Sequence, residues 1–243
     1  MGNCLFLRKG ETHTAPISGI LASDLAVGSS VYLMENGVSA EYLVVHQGLP
    51  GSMYDESCNG TWLLRKDIYE SRAWHSSTVN DYANSTIHNY LNSTFLALFD
   101  ANIQSAIKQV KLPYRAGSGD GTTVTSGANG LSAKIFLLSA SEVSFSGSAM
   151  PSNEGAELSY FAGCADDGGD SKRIANLNGS ATIWWLRSPY CGPPYGSTKA
   201  LLVHTNGGMY KDECNLMYGI RPALVLPSTA IFDKNTIVLK GVA

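Results

Sequence analysis

The chain has 243 residues, 44% of them hydrophobic and 15% charged, with 17 Lys and Arg against 20 Asp and Glu. That balance excludes a disordered chain, and a formal net charge of −3 offers no basic surface to a nucleic-acid partner. No apolar run approaches the roughly 18 residues of a membrane span, so no membrane insertion is expected.

Residues 1–27 have little periodicity and contain Gly2, Gly10, Pro16 and Gly19. They read as an N-terminal arm or connector to a larger assembly, with residues 28–243 as one domain. Arg8, Lys9 and Glu11 interrupt the apolar start, so no signal peptide is seen. Phe6 stands where a myristoylation signal needs Ser or Thr. Val31 to His46, broken by Asn36-Gly37, predicts a β-hairpin, and Thr61 to Arg65 a further short strand. Ile87, Tyr90, Leu91, Phe95 and Leu98 recur at helical spacing, with Ser77 or Asn80 as the expected N-cap. Asp100 is positioned to cap another turn or two. Gly117 to Gly130 is rich in Gly, Ser and Thr and reads as loop. Ile135 to Leu138 predicts a buried strand, and the stretch from 146 to 180 is loop anchored by Tyr160-Phe161, with an acidic patch at Asp166, Asp167 and Asp170. Lys199 to Lys211 reads as a hairpin turning at Asn206-Gly207-Gly208. Ile220 to Leu226 and Thr236 to Leu239 close the sheet. Short strands, two or three short helices and long loops make a mixed α+β domain.

The segment from Thr182 to Leu226 organises the rest. It opens and closes on core-like runs, Ile183-Trp184-Trp185-Leu186 and Ala223-Leu224-Val225-Leu226. Between them stand Tyr190, Tyr195, Tyr210 and Tyr218 with Pro193-Pro194 and several glycines. Rigid aromatic side chains on a framed loop supply contact area with little rotamer entropy to lose, which suits a binding surface.

Chemistry-bearing patterns are sparse. Cys4, Cys58, Cys164, Cys191 and Cys214 are odd in number and widely spaced, without C-x-x-C or a Cys/His cluster, so no zinc site or disulfide framework is expected. A Cys191–Cys214 bridge stays open. The sequons at Asn59, Asn84, Asn92 and Asn178 read as turn and cap chemistry. No Ser-His-Asp, HExxH or phosphate-loop pattern is present, and no cofactor is expected. Asp166, Asp167 and Asp170 offer oxygens to a calcium ion, but read better as an acidic surface loop. At least one of Trp184 and Trp185 reads as core of the central strand rather than part of a sugar-stacking platform, and Arg187 and Arg221 read as structural anchors of loop carbonyls or acids.

Trp184-Trp185-Leu186-Arg187-Ser188-Pro189 and Gly219-Ile220-Arg221-Pro222-Ala223-Leu224 resemble the C-terminal signature of a bacterial and phage family with a C-type lectin fold. Gly48-Leu49-Pro50, Ser57-Cys58-Asn59-Gly60-Thr61-Trp62 and Ile135-Phe136-Leu137-Leu138-Ser139 extend the likeness, which spans roughly residues 28–240. The chain is similar to the variable proteins of diversity-generating retroelements. That resemblance implies a C-type lectin-like α+β fold of small antiparallel sheets, with the first hairpin paired to the strand at Thr236 to Leu239 and the termini close together. It implies a non-enzymatic, receptor-recognising protein whose ligand is a protein or glycan on a bacterial cell surface. The setting would be a phage tail tip or a bacterial surface, with synthesis in the cytoplasm.

In such proteins, error-prone copying of template adenines turns Asn codons into many residue types, among which Lys, Glu, Met, Gln and Trp are not reachable. His204, Asn206, Gly208, Tyr210, Asp212, Cys214, Leu216 and Tyr218 are reachable, whereas Met209, Lys211, Glu213 and Met217 between them are not. Alternation of this kind places variable side chains on one face of an extended segment. Tyr190, Cys191, Pro193, Pro194, Tyr195 and Ser197 are reachable too and complete the expected ligand-binding set. Tyr190, Tyr195, His204, Tyr210, Asp212, Leu216 and Tyr218 are expected to be solvent-exposed and to share a face. The alternatives are a carbohydrate-binding lectin-like module and a formylglycine-generating-type enzyme, which shares the fold and uses cysteines. Against the enzyme, Cys191 and Cys214 have no sequence neighbour that marks an activated thiolate.

Overall fold

The computed structural model describes residues 19–119, 121, 123–165 and 168–242. Most of the expected arm, together with Cys4, Asp166 and Asp167, therefore lies outside the described residues. What is described of the arm belongs to the body. Ile20–Leu21 pairs with Ala230–Phe232, and Ala22 and Leu25 are buried in the core, so residue 27 marks no structural boundary.

Ten strands carry the architecture: β1 (Ser30–Glu35), β2 (Val38–Gly48), β3 (Gly60–Arg65), β4 (Glu70–Ala73), β5 (Ile135–Phe136), β6 (Trp184–Pro189), β7 (Lys199–Val203), β8 (Met209–Glu213), β9 (Met217–Ile220) and β10 (Ala223–Leu226). Among the described residues they form two five-stranded sheets, ordered β5-β10-β3-β2-β1 and β8-β7-β6-β9-β4. Pairing is antiparallel except where β6 meets β9, Trp184 opposite Gly219. The β1–β2 turn is Asn36-Gly37, both with positive φ (49° and 79°), the backbone that a tight two-residue hairpin turn requires. With two short α-helices among the described residues, the chain is a mixed α+β domain of small, mainly antiparallel sheets.

The central strands of both sheets are buried on both faces. Trp62, Leu64, Phe136, Trp184, Leu186, Leu201, Val203, Ala223 and Val225 pack in one apolar cluster. Their chain neighbours Leu63, Ile135, Trp185, Ala200, Leu202, Leu224 and Leu226 pack in the other. Successive side chains point to opposite faces of a strand, so a strand with apolar matter on both sides becomes a continuous hydrophobic run. That is why β6 and β10 stand out in the sequence.

The helical region differs from expectation at its start. Helix α1 (Thr86–Tyr90) begins after Ser85, whose Oγ accepts from the His88 amide at 3.1 Å; neither Ser77 nor Asn80 caps it. The Asn92-Ser93 break is a π-type turn over Leu91–Phe95. There the Asn92 side chain donates to the Ile135 carbonyl (2.9 Å) and accepts from the Lys134 amide (2.8 Å), tying the helix to β5. Asp100 precedes α2 (Ala101–Ala106) without a side-chain cap bond.

The C-terminal strand also departs from what the resemblance implies. Leu239–Val242 pairs with Ala230–Phe232 in a separate three-stranded sheet. The first hairpin meets this region through one parallel bridge, Tyr32 with Val238, supported by the Tyr32 amide donating to the Ile237 carbonyl at 2.9 Å.

Candidate ligand-binding surface

The surface is framed by fully buried strands. Trp184 and Trp185 are core residues, their indole N–H groups donating to the carbonyls of Arg173 (2.9 Å) and Arg72 (3.0 Å). Arg187 grips Glu142 through both terminal nitrogens (2.5 and 2.7 Å) and donates to the carbonyls of Leu137 and Glu154 at 3.0 and 2.9 Å. Arg221 is buried over the Trp184 ring and donates to the Arg65 carbonyl at 2.9 Å. Burial lowers its pKa to about 10, with Tyr160 and Asp67 partly opposing the shift. Both arginines anchor the scaffold, as their places at the edges of the segment suggest.

The loop from Tyr190 to Thr198 is held from beneath by Asn80. Its side-chain amide donates to the carbonyls of Tyr190 (3.1 Å), Gly196 (2.9 Å) and Lys199 (3.0 Å). Its backbone amide donates to the Ser197 carbonyl at 3.1 Å. Arg115 in turn fixes Asn80, donating to its backbone carbonyl (2.9 Å) and to its Oδ1 (2.8 Å). Tyr190 folds back across Gly192, where a Cβ would stand 2.5 Å from the phenol oxygen, so glycine permits the approach.

Tyr195, Tyr210 and Leu216 are 47%, 56% and 41% exposed, and Met217, at 62%, is more exposed than any of them. Pro193, Pro194, Ser197 and Asn206 are exposed, and Tyr190, His204, Asp212 and Tyr218 are half-buried. Cys191, Cys214 and Gly208 are buried and leave the set of surface residues. Cys214 is a free thiol, so the Cys191–Cys214 bridge is not formed. Burial, with Glu213 nearby, pushes its pKa up, away from a reactive thiolate.

The residues do not share one face. On the hairpin, Leu202 lies opposite Tyr210 and Leu201 opposite Lys211. The pleat therefore sends Tyr210 and Asp212 to one side of β8, Met209 and Lys211 to the other. The first side gathers His204, whose ring lies 6.0 Å from that of Tyr210. It also gathers Tyr218, which donates to Asp212 at 2.6 Å and meets Trp185 edge-on at 5.1 Å. Hydrogen bonding to the Asp212 carboxylate pushes the Tyr218 phenol up to about 12. On the second side the Lys211 ammonium lies 4.4 Å from the centre of the Tyr190 ring, and Lys199 lies 4.5 Å from that of Tyr195. A cleft of about 180 Å³ opens here between Ala149, Tyr190, Leu201, Met209, Tyr210 and Lys211.

Reading the sequence missed the roles of Met217, Lys199, Lys211, Met209 and Asn80. Met217 was readable as an exposed apolar residue next to Leu216. The Asn80 clamp joins positions more than a hundred residues apart and leaves no local signal. In the acidic stretch, Asp170 accepts from the Lys172 amide at 2.9 Å and caps a short turn. No group of three or more metal-ligating side chains occurs among the described residues. No helix there is long and apolar enough to cross a membrane.

Scaffold and surface together define a mixed α+β domain that presents an aromatic loop and an edge hairpin from a doubly buried sheet. The chain belongs to the family described as a domain of unknown function, DUF6273, whose model matches residues 59–228. The matched span runs from just before β3 to just after β10, and so contains the whole surface while leaving out the first hairpin. No curated protein and no solved structure matches the chain.

Proposed function

We propose that the chain is a non-enzymatic ligand-binding protein that recognises a macromolecule through the surface between Tyr190 and Tyr218. One observation carries this reading: Tyr195, Tyr210, Leu216 and Met217, all large and well exposed, crowd into 23 residues flanked by strands with no exposed side chain. Aromatic residues and methionine are the side chains interfaces favour, and a handful of them supplies most binding energy. The buried, raised thiol of Cys214 argues against a cysteine-based enzyme.

The resemblance extends the proposal to a C-type lectin-like scaffold, to a diversified surface and to a receptor on a bacterial cell, met from a phage tail or another bacterial surface. The separate C-terminal sheet counts against the lectin-like label, which the surface reading does not need. A carbohydrate ligand is the competing reading, and the exposed phenols of Tyr195 and Tyr210 are what would stack on a sugar.

Binding of the full chain to a panel of intact bacterial strains and to a glycan array, with and without calcium, tests the reading. A variant with Tyr195, Tyr210, Leu216 and Met217 all changed to Ser should lose every interaction the wild type shows, while its melting temperature stays close to that of the wild type. Undiminished binding by the variant would remove the surface. Glycan binding lost with calcium would move the assignment to the lectin module. Diversification requires a near-copy of the coding segment for residues 186–222 beside a reverse transcriptase gene, and a genome lacking both would strike it out.

A further inference from the structure

The hairpin register shows what the outer edge of β8 leaves open. Its ladder is bracketed by the His204 amide donating to the Gly208 carbonyl (2.8 Å) and the Cys214 amide donating to the Thr198 carbonyl (3.0 Å). Bonded and non-bonded pairs alternate along an antiparallel ladder. Tyr210 and Asp212 therefore exchange backbone bonds with Leu202 and Ala200, and the N–H and C=O groups of Met209 and Lys211 turn outward. Among the described residues, neither backbone makes a hydrogen bond away from the hairpin. The open stretch ends at Glu213, whose amide is taken by the Asp212 carboxylate (2.9 Å) and whose carbonyl is taken by the Leu216 amide (3.0 Å).

Beside that edge lies the Tyr190 cleft. It is lined by Ala149, Leu201, Met209, Tyr190 and the edge of the strand at Tyr210, and its charge is Lys211. Lys199 has Glu213 at 3.8 Å, but no carboxylate among the described residues lies within ion-pair distance of Lys211. A cleft of about 180 Å³ is smaller than the roughly 300–1,000 Å³ of ordinary small-molecule sites, and suits a single side chain. A second copy of β8 is a poor occupant, because antiparallel self-pairing centred on Lys211 would bring two ammonium groups together.

We propose that β8 accepts an extended segment of a partner polypeptide as an added strand, with an acidic side chain of that segment seated against Lys211 in the Tyr190 cleft. The inference rests on the recognition surface proposed above and gives it a partner class. Main-chain bonds to Met209 and Lys211 supply affinity that does not depend on sequence. Side chains two residues apart on the partner strand enter the cleft side, and those between them lie against Tyr210 and His204. Such a division suits a surface that varies, because the backbone edge persists whatever the side chains become.

Selection of a displayed random heptapeptide library on the full chain tests this. The selected peptides should share one acidic residue with apolar neighbours two positions away. Their affinity should fall about tenfold or more for Lys211→Glu, less for Lys211→Gln, and return when the peptide acid is changed to Lys. Methylating the peptide amides that face the edge should abolish binding. Both variants should melt close to the wild type, since the half-buried Lys211 side chain makes no hydrogen bond or ion pair among the described residues. Peptides indifferent to Lys211→Glu or to amide methylation would overturn the proposal, as would a selection that yields none. In those cases, cell or glycan binding that is lost in the four-residue Ser variant leaves the recognition surface standing, whereas its absence removes both.

Discussion

Asn80 shows how one residue can set a surface it does not belong to. It is fully buried, and its side-chain amide satisfies three loop carbonyls while its own oxygens are held by Arg115. A buried group left without its partner costs about 1–3 kcal/mol, so Asn80→Ala should destabilise the fold by about 2–4 kcal/mol in urea titration. Asn80→Asp should not rescue it, because a carboxylate would face three carbonyl oxygens. Wild-type stability in Asn80→Asp would mean that pairing with Arg115 holds the loop. Glu154 is another residue whose environment has a measurable consequence. It is buried, accepts from the Arg115 amide at 3.2 Å and takes the hydroxyl of Ser188. Burial pushes its carboxyl above the ordinary glutamate range, partly offset by Arg187. The folded state therefore holds this proton more tightly than the unfolded chain. The associated stability is present below the ordinary glutamate range and is lost as pH rises through the raised folded value. Glu154→Gln carries no such proton. The melting temperature of the wild type relative to Glu154→Gln should therefore climb as pH falls from neutrality into the ordinary glutamate range, about 4.3, and a constant difference would contradict the assignment.

At the scale of elements, what could be read from the chain follows from what is local. β1–β2 was legible because Asn36-Gly37 encodes its own turn, and β6 and β10 because burial on both faces leaves no polar alternation. The β7–β8 hairpin was legible for the same reasons, down to its turn. What escaped depends on distant partners. Asn80 looks like a helix cap, and only the fold shows that Ser85 has that job while Asn80 reaches the loop before β7. Parity along β8 correctly separates Tyr210 and Asp212 from Met209 and Lys211. The return of the Tyr190 loop over Lys211 is a tertiary event, so the aromatic set divides between two sides of an edge strand instead of forming one wall. Cys191 and Cys214 were placed on the surface because codon reachability says nothing of burial. The C-terminal strand joins another ladder than expected because the three apolar residues Ile237-Val238-Leu239 do not specify which ladder they join.

Across the whole molecule, the two apolar clusters on opposite faces of the sheets carry folding, and the exposed loop and hairpin edge project from one end of the β6 sheet. Truncating a buried Leu or Trp to Ala typically costs about 2–5 kcal/mol, against roughly 0.5 kcal/mol for most surface changes. A chain built this way can vary its surface without endangering its core. The most direct test is a saturation scan of residues 184–226, with survival to protease digestion as the measure of folding. The account predicts that Pro193, Tyr195, Asn206, Tyr210, Leu216 and Met217 accept nearly every residue, while Trp184, Trp185, Leu186, Arg187, Ile220, Leu224 and Val225 accept few. If the exposed aromatic positions proved as intolerant as the buried strands, they would be packing elements, and the separation of surface from scaffold would be contradicted.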